Sequence, residues 1–113
     1  MKNNLISITE LSLSANVSNR IIRHYESIGL LEAIKKGNLR WFNSNAIETL
    51  ADIRLLLKIG LSLQEIGILL KAELRETNEF KLSSHASQRK DLIEKISDIK
   101  NTSEIMLKKY EKL

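Results

Sequence analysis

Asn19, Arg20, Arg23 and His24 lie within six consecutive residues, and their side chains share one chemistry, the recognition of negative charge and of flat hydrogen-bonding edges. A guanidinium is a rigid fork that pairs two-pronged with phosphate or with the acceptor edge of guanine, and an asparagine amide matches adenine in the same way. Ile22, Tyr25 and Ile28 recur at helical spacing between them, so the polar residues fall towards the opposite face of one short helix. Ser18 is placed to cap that helix, and Val17 before it can staple onto Ile22. Gly29 stands where a helix ending in a left-handed residue needs it. Upstream, Ser7 and Glu10 are in capping-box relation, Leu11 and Ala15 continue an apolar face, and Asn16 is a residue type that tolerates the left-handed turn. The stretch Ser7–Leu31 therefore reads as two short helices joined by a tight turn. The second is narrow, capped and basic outside, a shape suited to the DNA major groove.

The rest of the composition excludes most other chemistry. The 113 residues carry no cysteine, two histidines and four glycines, so disulfides, thiolate metal sites and glycine-rich phosphate loops are out of reach. Neither histidine has a second ligand at helical spacing, and no serine sits in a nucleophile-elbow context, so no enzyme activity, cofactor or metal is expected. No apolar run approaches the ~20 residues that span a bilayer, and the N-terminal residues lack a signal-peptide core, which points to a cytoplasmic protein. Net charge is +4, and most of the excess is local: Ser18–Phe42 holds five basic and two acidic residues, a difference of +3. Absence of proline and scarcity of glycine favour a mainly α fold.

Following the paired helices, Gly37-Asn38 between two short runs reads as a two-residue hairpin turn, a wing beside the basic helix. Lys35, Lys36 and Arg40 are either phosphate contacts on that wing or solvated charges, and Trp41 is either a packing residue or a base stacker. Asn43 is placed to cap a third helix with Ala46, Ile47, Leu50, Ile53, Leu56 and Leu57 inward. Gly60 ends it. Ser62 and Glu65 form a second capping box opening a fourth helix through Leu63, Ile66, Leu69 and Leu70, whose N-terminus could face a phosphate. Arg54 and Lys58 on helix three either assist there or lie on a solvated face. Ala72–Lys81 reads as a connection, with an extension of helix four left open. From Leu82 and His85 through Arg89, spacings of three and four continue along Leu92, Ile96, Ile99, Ser103, Met106 and Tyr110. A helix from about Asn78 to Tyr110 would be roughly 50 Å long, too long for one small head to cover, so pairing of this seam with a second copy is expected over the alternative that it folds back as one more helix of a bundle.

Ile22-Arg23-His24-Tyr25-Glu26 followed by Ile28-Gly29-Leu30-Leu31 resembles the I-R-Y-Y-E…G-L-L signature of the MerR family of bacterial transcription regulators. Asn38-Leu39-Arg40-Trp41-Phe42 is similar to the family's G-Y-R-x-Y, and Ile59–Ile66 to its L-G-F-S-L-x-E-I. The three motifs cover roughly residues 5 to 72. His24, Ile21, Asn16, Asn38 and Leu39 depart from the pattern, and Leu39 removes a tyrosine hydroxyl that relatives often direct at phosphate. The resemblance implies a winged helix-turn-helix DNA-binding head over residues 1–76 and an antiparallel dimerisation helix over 77–113. It implies a homodimer on a pseudo-palindromic promoter operator in double-stranded DNA, distorted so that RNA polymerase can engage. Ser18, Asn19, Arg20, Arg23, His24, Tyr25, Lys35, Lys36, Arg40, Arg54 and Lys58 are the candidate DNA contacts. The cysteines of metal-sensing relatives and the further domain of drug-sensing ones have no counterpart here. An excisionase-like architectural factor and a coiled-coil protein-interaction module are the alternatives. The long seam argues against the first, and the local +3 charge argues against the second.

Overall fold

The computed structural model describes residues 4–77 and 88–112. Its elements run β1 (Leu5–Ser7), α1 (Ile8–Ala15), α2 (Asn19–Ser27), β2 (Ile34–Lys36), β3 (Leu39–Asn43), α3 (Ala46–Lys58), α4 (Leu63–Leu69) and α5 (Arg89–Glu111). The fold is mainly α with a small antiparallel sheet, as expected.

Local chemistry accounts for most of the boundaries. The Ser7 hydroxyl accepts from the Glu10 N–H at 3.1 Å and opens α1. Asn16 closes it in the left-handed conformation, at φ 55 and ψ 48. Ser18 then caps α2, its hydroxyl accepting from the Ile21 N–H at 3.2 Å. At the far end Gly29 takes φ 87. The Leu30 N–H reaches the Tyr25 carbonyl at 2.8 Å and the Gly29 N–H reaches that of Glu26 at 3.1 Å, the two bonds of a Schellman motif. Gly60 ends α3 in the same way, with φ 106.

The sheet has the order β1-β3-β2. The wing hairpin sets Lys35 opposite Arg40 and Lys36 opposite Leu39. Gly37 at its turn has φ 64, whereas Asn38 does not have positive φ, the pattern of a type II′ turn. The third strand was not anticipated from the sequence: Leu5, Ile6 and Ser7 pair with Asn43, Phe42 and Trp41. Two details of α3 also differ from expectation. Asn43 ends β3, and its Oδ1 accepts from the Asn45 N–H at 3.0 Å, so the cap position falls to Asn45, which makes no side-chain cap bond. Leu57 faces outward at 39% exposure, because the apolar stripe of α3 is completed by Ala46, Leu50 and Ile53.

Leu11, Ile22, Ile28, Phe42, Leu50, Ile53 and Ile66 are fully or almost fully buried in one core. Ser62 and Glu65 cap α4 reciprocally, at 2.9 and 3.1 Å. Helix four does not run on. Lys71 takes the left-handed φ of 57, and the Lys71 and Ala72 N–H groups bond back to Ile68 and Gly67. The chain then crosses the head as an irregular strap, Ala72–Thr77. The Arg75 N–H donates to the Ile28 carbonyl at 2.7 Å, and Arg75 Nη1 reaches that of Glu26 at 3.4 Å.

The long helix starts at Arg89 among the described residues; Leu82, His85 and the first turns expected from Asn78 lie outside them. Leu92, assigned by its spacing to an intermolecular seam, is 1% exposed, because α5 packs on α4 of the same chain. Ile96 and Ile99 pack partly against the same head. Arg89 Nε donates to the Leu69 carbonyl at 3.2 Å, and Lys95 Nζ donates to Glu65 Oε2 at 2.8 Å. Beyond these contacts α5 projects clear, giving the molecule extents of 58 × 33 × 30 Å.

A Cβ added at Gly29 would overlap the Glu73 carbonyl in a backbone already at φ 87, whereas one added at Gly37 meets open space at φ 64. Gly29→Ala is expected to cost at least about 2 kcal/mol and Gly37→Ala about 1 kcal/mol, read from denaturant midpoints. The Lys95 ammonium, the Ser62 N–H and the Ser62 hydroxyl hold the Glu65 carboxyl below its ordinary pKa. With the folded pKa lowered, this stabilisation is complete above the ordinary glutamate range and is lost as pH falls through the lowered value. Glu65→Gln should therefore flatten the acid limb of the stability profile measured by thermal melting.

Candidate nucleic-acid interface

The fold leaves the outer face of α2 free. Arg20 and Arg23 are exposed, Asn19 and His24 are half-buried, and Ile22 on the other side is buried completely. Tyr25 packs against the core, where desolvation raises its pKa and keeps the phenol neutral. Its ring leans on that of His24 with centroids 6.1 Å apart, orienting the imidazole at the edge of the basic face. The Ser18 hydroxyl is engaged in capping.

Beside this face a shallow groove of about 200 Å³ is lined by Arg23 of α2, by Asn38, Leu39, Arg40 and Trp41 of the wing, and by Ser7, Ile8 and Thr9 at the start of α1. Two cations separated by 17 residues in the sequence thus meet at one depression, with an α-helix N-terminus forming its third wall. Thr9 was not singled out from the sequence, because a polar residue in the first helical turn is too common a feature to stand out. Arg40 Nε lies 3.7 Å from Glu26 Oε1, an ion pair by distance but too long for a hydrogen bond, and that nitrogen is buried without a hydrogen-bond partner. Glu26 in this way holds the wing arginine against the end of α2. Trp41 is half-buried along the groove, opposite Ser7 and Ile34 in the sheet, a packing position.

Lys35 and Lys36 are exposed on β2, and Lys58 is exposed in the last turn of α3. Arg54 has a different task from the phosphate contact considered for it. Its Nη2 donates to the carbonyls of Ala15 and Asn16 at 3.2 and 2.7 Å, clamping the turn between α1 and α2 to α3. At the N-terminus of α4 the capping box takes up two of the backbone donors, the Ser62 and Glu65 N–H groups.

A family model described as MerR HTH family regulatory protein matches residues 6–73, more than half of the chain. The chain belongs to the MerR family. Over 67 residues it is 37% identical to an uncharacterized HTH-type transcriptional regulator, PA4778, of Pseudomonas aeruginosa, a match covering 58% of this chain and 51% of that protein. The chain thus spans about half the length of that curated relative. Solved MerR structures share its fold. HiNmlR, a MerR family regulator lacking the sensor domain and bound to promoter DNA, superposes with a TM-score of 0.65 at 19% identity, over 96% of this chain and 80% of its own. A MerR family transcriptional regulator from Listeria monocytogenes gives 0.65 at 24% identity, over 95% and 79% of the two chains. One from Bacillus cereus gives 0.57 at 22%, over 96% and 71%.

The two arginines make a paired test. Arg23→Ala is expected to leave the fold intact and to weaken DNA binding, by about 1–3 kcal/mol if a base contact is lost. Arg54→Ala is expected to lower stability by about 1 kcal/mol through the freed turn. Fluorescence anisotropy with matched and scrambled duplexes, beside thermal melts of both variants, separates the two roles.

Proposed function

We propose that this MerR-family chain is a sequence-specific regulator of transcription that binds a pseudo-palindromic promoter operator in double-stranded DNA as a homodimer. The observation that carries the reading is the meeting of Arg23 and Arg40 at one groove beside an exposed basic helix face. On this reading α2 enters the major groove and Asn19, Arg20, Arg23 and His24 address base edges. Arg40, Lys35 and Lys36 of the wing grip the flanking phosphates, with Lys58 as an outlying cation. Phosphate contacts make affinity fall with salt, and base contacts supply the preference for one operator. Residues 1–76 form the head and residues 77–113 carry dimerisation. RNA polymerase is the further partner at the promoter, and the protein works in the cytoplasm. Among the described residues no helix is long and apolar enough to cross a membrane.

Support for the dimer lies in the outer half of α5. Leu92, Ile96 and Ile99 turn to the chain's own head, but the same stripe continues through Met106, Leu107 and Tyr110 at 41%, 59% and 60% exposure. Burying an aliphatic or aromatic side chain contributes about 1.5–3 kcal/mol, so this uncovered stretch favours a second α5. Antiparallel pairing lets each outer half meet the other helix while both heads stay free.

Selection of bound sites from random DNA tests the function: two inverted half-sites about two helical turns apart are expected, and absence of any enrichment would sink the reading. For the dimer, Met106→Glu/Tyr110→Glu is expected to raise the dissociation constant on the order of 100-fold while leaving the head folded. Sedimentation and circular dichroism check both halves of that statement, and a double variant as dimeric as wild type refutes the assigned surface.

A further inference from the structure

Among the described residues, side-chain hydrogen bonds from α5 to α4 bear on the angle at which α5 leaves the head. Leu92 is buried and fixes the point of attachment, while Ile96 and Ile99 pack only partly against the head, so the apolar contact is one narrow stripe about which the helix can still swing. The swing is limited on two sides. Arg89 Nε, one turn before Leu92, bonds the Leu69 carbonyl at the end of α4. Lys95 Nζ, one turn after it, bonds Glu65 Oε2 at the start of α4. The two cations of α5 thus hold opposite ends of the same short helix. Glu65 is itself immobilised, because its other oxygen, Oε1, accepts from the Ser62 N–H at 2.9 Å in the capping box. A carboxylate fixed by the backbone is a better stop than one on a free side chain, since less freedom is lost on pairing.

We propose that Lys95, through Glu65, is a positioning residue that sets the angle between head and α5 and thereby specifies the spacing of half-sites the dimer accepts. The inference rests on the dimeric reading given above. In a dimer joined through the outer part of α5, a small rotation at the Leu92 joint is carried along the helix to the partner's head. The pair adds little to stability, since its side chains are 45% and 20% exposed. Its effect is on geometry, and it is seen where two heads must fit one duplex.

The native sequence has no cysteine, so a single cysteine replacing exposed Asp52 on α3 is a unique site for a spin label. In the wild-type background the inter-protomer distance distribution is expected to be narrow. Lys95→Met should broaden or shift it, and Lys95→Arg, which can still reach Glu65, should restore it. Glu65→Gln keeps an acceptor for the capping bond while removing the charge, and should match Lys95→Met. On DNA, unlabelled Lys95→Met should bind a single half-site as wild type does, but lose about two- to fivefold of its preference for the best-spaced operator over one lengthened by a base pair. A dimer with unchanged distances and spacing profile overturns the proposal, as does an equal loss on the half-site. A wild type with no inter-protomer distance at all would refute the dimer, and the proposal with it.

Discussion

Burial of Ile22 and Ile28 beneath α2 is the constraint on which the molecule depends. A helix of nine residues carrying two arginines and a histidine is not stable alone in water, because nucleation is costly and too few turns follow it. It exists here because both isoleucines enter the core around Phe42, and because its two ends are closed by Ser18 and by the Schellman motif at Gly29. Surrounding contacts serve the same element. Arg54 clamps the turn before it, Arg75 bonds the backbone behind it, and Glu26 links it to the wing through Arg40. The exposed face is left to side chains that contribute little to folding, which is why they are free to be chosen for what they bind.

The stripe along α5 performs two tasks in succession. A seam of period three and four looks uniform in the sequence, yet its first half is used inside the chain and its second half is uncovered. Leu92 is lost to any partner, whereas Met106 and Tyr110 are not. The division follows from size. The head offers α5 only the length of α4, seven residues, so a 23-residue helix must outrun it. This also makes the joint between head and helix short and dependent on directional contacts, the Glu65–Lys95 pair among them.

Features governed by adjacent residues were legible in the sequence. Ser7, Ser18 and the Ser62–Glu65 box cap helices as expected, Asn16 and Gly29 take left-handed backbone, and Gly37 turns the hairpin. Legibility failed where a distant partner decides. Strand β1 is three residues long and exists because β3 offers an edge some 35 residues away. Lys71 adopts a conformation that glycine or asparagine usually marks, so the end of α4 carried no signal. Charge was the least readable property of all. Arg54 and Arg23 look alike on paper; one became a clamp because the carbonyls of Ala15 and Asn16 happened to lie within its reach.

That last contrast bears on how the basic surface should be understood. Net charge locates a binding face only roughly, because a guanidinium is also the side chain best suited to gather backbone carbonyls. What separates the two uses is whether the donors are spent within the chain. Arg54 has spent donors on the turn, and Arg75 and Arg89 have each spent at least one on a helix-terminal carbonyl. Among the described residues Arg40 is tethered through Nε alone, which leaves its terminal amino groups to reach from the wing into the groove it shares with Arg23. The proposed recognition surface is therefore smaller than the run of positive residues in the sequence, and better defined: an exposed helix face, a wing tip and the depression between them.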